Sequence, residues 1–507
     1  MAAVTPTTVS AAEPEHLRGR IISGVGWKAA SRLCFEASKV AVAVVLARLL
    51  TPHQFGLAGM VLVLSSVVPT FAGLAFGSAL VQRKHITEDD KSTVFWASLV
   101  LGAACMLVGI ACAGLLAKFY GEAAVRPLAA VLSVSFFTSA FGMTQSQLLV
   151  RDLRYRSLEL RTMVATLSGA AVGIAAAFAG WGAWAIILQQ VTFSCVASVL
   201  VWVVSDWRPS WRFSTRSLRE LGRFGGHVSG SVLFGQLTQN VDNLLVGRYL
   251  GAAALGIYSL AYSVMLAPFT RLTSPLQEIL YAAFSRIQDE PARLANIWLR
   301  ANRLMGAVAI PLLLGLVAVA PDLIPLVFGS QWEKAVPVVQ VLAWVGILEA
   351  LQGLNASVLL ARDRSRTYLR FSALLFVGSL VAFVIGLQWG VLGVAVCYAI
   401  SCTLIHPIYT VVAVRCVGVR LIDFLRNLVG VAAAGVVMLA VTYAVRASLL
   451  QSAIPEWQRL VVTIAAGGLV YVGVLALFAR GVFTDLQALR VRRAGSSAVA
   501  AQPAAGG

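Results

Sequence analysis

The chain contains a succession of apolar segments that are each long enough to cross a lipid bilayer. A helix needs about 20 apolar residues for that crossing, and about 14 such segments lie between residues 26 and 479. Hydrophobic residues make up 59% of the 507 residues and charged residues only 12%, whereas a soluble domain carries about 25% charged residues. Because unpaired backbone groups are costly in lipid, the segments must be helical. The sequence therefore predicts an all-α polytopic membrane protein with about 14 transmembrane helices.

The positive charges of the chain alternate from loop to loop. Most of the 40 lysine and arginine residues lie in every second loop and in the two terminal segments, and few lie in the remaining loops. Cytoplasmic loops of membrane proteins carry the excess of basic residues, so we expect an even number of spans with both termini in the cytoplasm. The same rule accounts for the formal net charge of +18 without nucleic acid as a partner.

The chain also matches itself at an offset of 200 residues. Three residues in the turn after the first helix recur in the turn after the seventh: Arg48, Leu50 and Gly56 are matched by Arg248, Leu250 and Gly256. Because six helices separate the two copies, both copies have the same orientation. The match therefore predicts two six-helix bundles in a parallel pseudo-repeat about an axis along the membrane normal, an arrangement that supports alternating access.

This repeat divides the chain into successive parts. They are a cytoplasmic N-terminal segment at 1–24, a six-helix bundle at 25–204, a cytoplasmic basic linker at 205–224, a second six-helix bundle at 225–415, an additional helix pair at 426–480 and a cytoplasmic, disordered tail at 481–507. The apolar run after the first segment is too long for the h-region of a signal peptide, so we expect it to remain as the first membrane helix. Two facing bundles would enclose a central cleft for a substrate.

Ionisable side chains lie within the first predicted helix. Arg32, Glu36 and Lys39 follow one another at helical spacing and share a face, with Lys28 one turn earlier. Since charged groups at membrane depth usually face a cavity or a partner, we interpret this net positive face as a cavity wall that receives an anion. The alternative is that these residues snorkel to the membrane surface, which we favour for Lys28, or only pair with Glu36.

The seventh predicted helix carries a face of amide side chains. The amides are Gln236, Gln239, Asn240 and Asn243, with Asp242 beside them. This face is too polar for lipid, so its amides either join helices through hydrogen bonds or bind sugar hydroxyls, and the two roles are compatible. Arg271 in the eighth helix is a further cavity candidate. Asp242 and Glu349, in the tenth helix, are candidates for coupling transport to an ion.

The sequence contains no signature of a cofactor or a metal. No pair of histidines or cysteines has the spacing of a metal site, and no phosphate-binding loop of the G-x-x-x-x-G-K-[S/T] type is present. No loop between the apolar segments is long enough for a catalytic domain. We therefore expect a protein that is not an enzyme and that holds neither a metal nor a cofactor.

Three short stretches carry a resemblance to a known family. Gly26-Trp27-Lys28 opens the first helix, residues 46–57 (LARLLTPHQFGL) form the turn after it, and residues 77–83 (GSALVQR) precede a loop with three consecutive acids at 88–90. Together with the 14-helix plan, these stretches resemble the Wzx-type polysaccharide and O-antigen exporters of the multidrug/oligosaccharidyl-lipid/polysaccharide (MOP) superfamily. The similarity is to the branch that exports colanic-acid-like exopolysaccharides.

The resemblance implies a flippase of the bacterial inner membrane. Its substrate would be an undecaprenyl-pyrophosphate-linked oligosaccharide for exopolysaccharide or lipopolysaccharide biosynthesis. Its implied partners are that lipid-linked oligosaccharide, membrane lipids, a coupling ion (H+ or Na+), a polysaccharide polymerase and a chain-length regulator. The basic face of the first helix suits a pyrophosphate, which is a compact multiple anion.

Three alternative functions remain open at this stage. A cation-coupled multidrug exporter of the same superfamily would need an acidic cavity, whereas the predicted wall is basic. A flippase for the peptidoglycan lipid precursor also handles a pyrophosphate. A membrane glycosyltransferase or polymerase would need a larger outer loop than those near 321–334 and 447–458.

Overall fold

A computed structural model describes the central part of the chain. It covers residues 38–69, 80–81, 86–215, 217–219, 240–287, 290–452, 454–478 and 481, with the backbone alone at 66–69, 267–279, 281–283, 285 and 478. Within these ranges every regular element is helical. The helices are α1 (38–49), α2 (Pro52–Pro69), α3 (Glu88–Tyr120), α4 (Val125–Phe141), α5 (Met143–Arg151), α6 (Tyr155–Phe178), α7 (Trp184–Val204), α8 (240–250), α9 (Ala252–Arg286), α10 (Pro291–Phe328), α11 (Val336–Ala361), α12 (Ser365–Gly386), α13 (Gly390–Val417), α14 (Leu421–Leu450) and α15 (Glu456–Phe478).

Many of these helices are long and apolar enough to cross a membrane. In the described ranges there are 8 such stretches, or 9 if α4 and α5 form one bent span. One of the 8, Ser365–Val417, contains a short 3-10 turn at Leu387–Trp389, where the chain folds back so that α12 and α13 pack side by side. The prediction of an all-α polytopic membrane protein is therefore confirmed.

Five pairs of consecutive helices pack against each other as antiparallel hairpins: α3 with α4, α6 with α7, α10 with α11, α12 with α13, and α14 with α15. The turns near residues 51, 121, 181, 251 and 329 consequently lie at one end of the molecule, which the charge pattern predicts to face away from the cytoplasm. We call this the outer end, and the opposite end the inner end.

Helix α3 extends beyond the apolar segment that was predicted at 94–117. It begins at Glu88 because Thr87 caps it: the hydroxyl of Thr87 accepts the N–H of Asp90 at 3.2 Å, and the Asp90 carboxylate accepts the N–H of Thr87 at 3.0 Å. Acidic side chains in the first turn also suit the positive end of the helix dipole. Hydropathy reports only the part of a helix that lies in lipid, whereas a polar cap lengthens the helix into water.

The fourth apolar segment, predicted as one span at 125–149, is instead bent by 42° between α4 and α5. The bend falls at Gly142, where an added Cβ would lie 3.0 Å from Ser198 of α7. The Ser198 hydroxyl and the Trp202 indole of α7 donate hydrogen bonds to the carbonyl groups of Thr138 and Phe141, next to the bend. A kink in lipid requires such partners for its backbone, and α7 supplies them.

The segment that follows α7 lies against the inner end of α3. The Trp207 indole donates to Glu88 at 2.9 Å, and the backbone N–H of Ser214 donates to the Thr93 hydroxyl at 2.9 Å. The rings of Trp96 and Trp211 stack with their centroids 4.6 Å apart. These contacts fix the beginning of the predicted linker to the first half of the chain.

The two halves of the chain meet where α2 crosses α9. A methyl group added at Gly56 would overlap the carbonyl group of Ala252, and one added at Gly256 would overlap the carbonyl group of Pro52. The glycines are 200 residues apart, and so are their two carbonyl partners. The contact is therefore reciprocal, as a twofold relation between the halves requires, and only glycine allows backbones to approach so closely.

The last two helices, α14 and α15, pack together on α10. A buried charge cluster joins all three helices near the outer end. Asp322 of α10, whose side chain is 4% exposed, pairs with Arg446 of α14 at 2.5 Å and with Arg459 of α15 at 2.7 Å. These ion pairs hold the helix pair against the second half of the chain.

Candidate functional site

The predicted basic wall lies mostly outside the described residues. Arg32 and Glu36 of this wall are in that part of the chain, and so are Gln236 and Gln239 of the predicted amide face. Lys39 lies in the first described turn of α1, where its side chain is exposed. The role of this wall therefore stays a prediction.

The remaining predicted cavity residues lie in α8 and α9. Asn240 and Asn243 are half-buried in α8, and the backbone N–H of Asn243 donates to Oδ1 of Asp242 at 2.7 Å. Arg271 lies in α9, with its side chain outside the described set. The structure thus places the amides of α8 next to a buried carboxylate.

That carboxylate, Asp242, is 6% exposed and is held by a tyrosine of the next helix. The hydroxyl of Tyr258, a fully buried residue of α9, donates to Oδ2 of Asp242 at 3.0 Å. The ring of Tyr258 stacks on that of Tyr262 with the centroids 6.1 Å apart. A carboxylate that is removed from water needs such donors.

Glu349 of α11 has a similar environment. The hydroxyl of Tyr398 in α13 donates to its Oε1 at 3.1 Å, and the Tyr398 ring packs on Phe383 at 5.1 Å. Glu349 interacts electrostatically with Asp242, and Tyr262 lies within electrostatic range of both carboxylates. We call these five residues the acid–tyrosine cluster: Asp242, Glu349, Tyr258, Tyr262 and Tyr398.

Within the described ranges, neither carboxylate of the acid–tyrosine cluster pairs with a lysine or arginine. The cluster therefore offers carboxylate and phenol oxygens to a cation, with no lysine or arginine of the described residues in competition. The two acids were candidates from the sequence, but the tyrosines were not. The sequence feature that could have identified the tyrosines is the position of Tyr258 and Tyr262 on one face of an apolar helix. A buried tyrosine hydroxyl usually requires a hydrogen-bond partner.

A second group of side chains joins the halves at the outer end. Arg48, at the end of α1, donates from Nε to the carbonyl of Val327 at 2.7 Å and from a second guanidinium nitrogen to the carbonyl of Leu326. These carbonyl groups belong to the last turn of α10. The guanidinium therefore satisfies backbone acceptors that a helix end leaves unpaired.

Side chains of the second half also contact the first half at the same place. Gln331 donates from Nε2 to the carbonyl of Ala47 at 2.8 Å and to that of Leu50 at 3.0 Å, and the Trp332 indole donates to the Ala47 carbonyl at 2.8 Å. Each half thus caps a helix of the other half. We call Arg48, Gln331 and Trp332 the outer latch.

Among the described residues, the second copy of the repeat has no equivalent of the outer latch. Arg248, which matches Arg48, lies over the ring of Phe119 with 5.8 Å between its Cζ atom and the ring centroid. It makes no hydrogen bond with the part of the chain that the structure describes. The backbone crossing is therefore symmetric, whereas the side-chain contacts around it are not.

These features define a multi-pass helical membrane protein whose two halves meet in a reciprocal contact. The chain belongs to the polysaccharide biosynthesis protein family, whose model matches residues 45–337. This match confirms the resemblance that was read from the turn at 46–57.

Proteins of known name share a large part of the sequence. The chain is 28% identical over 348 residues to the teichuronic acid biosynthesis protein TuaB of Bacillus subtilis (strain 168), which covers 68% of this chain and 72% of the relative. It is 29% identical over 381 residues to the lipopolysaccharide biosynthesis protein WzxC of Escherichia coli (strain K12), which covers 75% of this chain and 77% of the relative.

The fold is also similar to that of solved structures. The lipid II flippase MurJ in an inward closed conformation matches with a TM-score of 0.74 at 15% identity, over 90% of this chain and 99% of that chain. An inward-facing multidrug resistance MATE family transporter of the MOP superfamily matches with a TM-score of 0.54 at 16% identity, over 75% of this chain and 94% of that chain. At these identities the similarity establishes the fold.

Proposed function

We propose that the protein is a flippase that moves an undecaprenyl-pyrophosphate-linked oligosaccharide across the bacterial inner membrane. The product would be an exopolysaccharide or a lipopolysaccharide. The family match over residues 45–337 carries this proposal, because two relatives are named for the biosynthesis of teichuronic acid and lipopolysaccharide. A fold shared with a flippase supports transport rather than chemistry as the activity.

Alternating access is the mechanism that the arrangement of the halves supports best. In this mechanism about 14 helices form bundles at 25–204 and 225–415, with the linker at 205–224, the helix pair at 426–480 and both termini in the cytoplasm. The reciprocal crossing of α2 and α9 supports a parallel repeat, and the outer latch joins the halves at the outer end. Separating the latch would open the outer end.

The cavity between the bundles would hold the substrate by its two polar parts. Arg32, Lys39 and Arg271 would contact the pyrophosphate, because charge-assisted hydrogen bonds to phosphate are strong, and Glu36 would keep the basic side chains oriented. The amides Gln236, Gln239, Asn240 and Asn243 would bind sugar hydroxyls. The half-buried position of Asn240 and Asn243 is compatible with this role.

The acid–tyrosine cluster would couple transport to an ion. Two carboxylates in a low-dielectric interior attract a proton or a sodium ion when no protein cation neutralises them. The tyrosine hydroxyls on Asp242 and Glu349 would orient the carboxylates for this exchange. A polysaccharide polymerase and a chain-length regulator are the partners that would act on the flipped product.

Deletion of the gene in its source organism tests the proposal directly. We expect surface polysaccharide to disappear while the complete lipid-linked repeat unit accumulates on the cytoplasmic side. A repeat unit that lacks a sugar would indicate a glycosyltransferase instead, and an effect on drug susceptibility alone would indicate a multidrug exporter. Either result would remove the proposed function.

A further inference from the structure

A cavity lies beside the bend between α4 and α5. Its volume is about 220 Å³, and its walls come from α4, α5, α6 and α7. A single water molecule needs only roughly 10–15 Å³ of such space. The cavity is therefore large enough for a chemical group rather than a single water molecule.

The walls of this cavity differ in polarity. The polar side consists of a guanidinium group and serine hydroxyls, and the apolar side consists of aromatic rings and small side chains. The polar residues are Arg161, Ser139, Ser146, Ser194 and Ser198. Phe136 and Phe193 are the rings of the apolar side. A ligand for this cavity must itself combine a polar head with an apolar stem.

Arg161 is the charged group of the cavity, and its charge is not balanced. Its Nη1 donates to the Ser146 hydroxyl at 2.6 Å, whereas its Nε is buried without a hydrogen-bond partner. No carboxylate pairs with it among the residues that the structure describes. A partly buried guanidinium whose Nε has no partner is costly, and an anion in the cavity would reduce that cost.

The hydroxyl groups next to Arg161 are already positioned by the backbone of the bend. The Ser146 hydroxyl donates to the carbonyl of Gly142 at 2.7 Å, so its oxygen lone pairs face the guanidinium. The hydroxyls of Ser139 and Ser194 lie 2.8 Å apart. Because the Ser194 hydroxyl also donates to the carbonyl of Ser135 at 3.1 Å, the Ser139 hydroxyl is the one that can turn its proton toward a ligand. The bend at Gly142 therefore arranges these hydroxyls around the cavity.

The position of Arg161 along α6 indicates the source of the anion. It lies six residues after Tyr155, the first residue of α6 at the inner end, which corresponds to roughly 9 Å along the helix axis. If α6 begins at the membrane surface, this distance places Arg161 where the phosphate groups of the inner leaflet meet the apolar region, because the headgroup layer is roughly 5–8 Å thick. A soluble anion would have to leave water to reach it, whereas a membrane lipid presents its phosphate there.

We infer that this cavity is a binding site for the phosphate group of an inner-leaflet lipid. The phosphate contacts Arg161, whose guanidinium is oriented by its hydrogen bond to Ser146, and the first carbons of the lipid lie along Phe136 and Phe193. A phospholipid and a polyprenyl pyrophosphate present the same phosphate chemistry, so the site is independent of the proposed transport function.

Lipid binding to the purified full-length protein tests this inference. The probes are phosphatidylglycerol and polyprenyl pyrophosphate, each titrated in detergent and followed by native mass spectrometry. Arg161→Gln should weaken binding of at least one probe about tenfold, which corresponds to about 1.4 kcal/mol, and Ser146→Ala should weaken the same probe less. Arg156→Gln is the matched control, because Arg156 is an exposed residue of the same helix outside the cavity.

The probe that responds identifies the source of the phosphate. If Arg161→Gln weakens the binding of phosphatidylglycerol alone, the cavity is a structural lipid site. If it weakens the binding of polyprenyl pyrophosphate alone, the cavity is a substrate site. Equal binding by Arg161→Gln and Arg156→Gln for both probes would overturn the inference. If Arg161→Gln does not fold, the wild-type protein is titrated with each probe and its neutral counterpart: phosphatidylglycerol against diacylglycerol, and polyprenyl pyrophosphate against polyprenol. Equal affinity within both pairs would overturn the inference as well.

Discussion

Loss of Asp322 should affect stability strongly, because this buried carboxylate pairs with two partly buried arginines. Asp322→Asn leaves Arg446 and Arg459 without their carboxylate, and breaking a buried pair from one side typically costs about 3–5 kcal/mol. We expect a clear fall in the thermal unfolding temperature of the purified protein. Glu290→Gln is the control, since it breaks an exposed pair with Arg293 at 3.1 Å and exposed pairs contribute little. Equal effects of both variants would contradict this prediction.

Asp242 is the residue for which ion coupling can be tested most directly. In proteoliposomes, Asp242→Asn should abolish the stimulation of transport by a proton or sodium gradient, because the amide cannot carry the exchanged charge. Tyr258→Phe keeps the carboxylate but removes its hydrogen bond, so we expect a weaker response with the gradient dependence retained. Glu159→Gln, at an exposed acid of α6, is the matched control. An unchanged gradient dependence in a well-expressed Asp242→Asn protein would leave Asp242 with a structural role.

At the scale of helices, the crossing of α2 and α9 should tolerate no side chain. Gly56→Ala and Gly256→Ala should each destabilise the protein by a similar amount, since each methyl group meets a carbonyl of the opposite helix and overpacking costs about 1–3 kcal/mol. Gly114→Ala in α3 is the control because nothing lies within 4 Å of its added Cβ. That change should be neutral or slightly stabilising. Thermal unfolding of all three variants gives the comparison, and tolerance at both 56 and 256 would argue against a close crossing.

The outer latch should control the distance between the outer ends of the helices. Arg48→Ala removes the hydrogen bonds to the last turn of α10, so we expect a larger population with separated outer ends. Spin labels on the exposed residues Ala123 and Glu333, one in each half, would report this distance. Arg248→Ala should change it less, because Arg248 only lies over an aromatic ring at its matching position. Identical distance distributions for both variants would remove the latch role.

At the scale of the whole molecule, the charge pattern predicts a defined topology. Reporter fusions should place residues 205–223 and 362–370 in the cytoplasm, and residues 121–126 and 447–458 on the outside. The basic residues of the first two segments favour the cytoplasmic side. A fusion on the wrong side at any of the four positions would exclude 14 spans with cytoplasmic termini.

The sequence predicted the class of fold and offered Asp242 and Glu349 as candidates, but it did not predict the partners of these two acids. Hydropathy identifies a membrane helix without its neighbours, so the self-match at 48 and 248 indicated a repeat and could not show that Gly56 and Gly256 touch. Glu349 was visible as a charge at membrane depth, whereas its hydrogen bond from Tyr398 depends on how α11 packs against α13. The bend at Gly142 was missed because the apolar composition continues through it.

The position of the crossing at Gly56 has a consequence for how far each end can move. From Gly56 to Pro52 the helix runs roughly 6 Å toward the outer end, and from Gly56 to Pro69 it runs roughly 20 Å toward the inner end. If the halves rock about this contact as rigid bodies, displacement grows in proportion to distance from the pivot. A separation of the outer turn by 1 Å then corresponds to about 3 Å at the inner end of α2. The contact would act as a pivot that lies nearer to the outer end than to the inner end of α2, so the inner end would move further than the outer end.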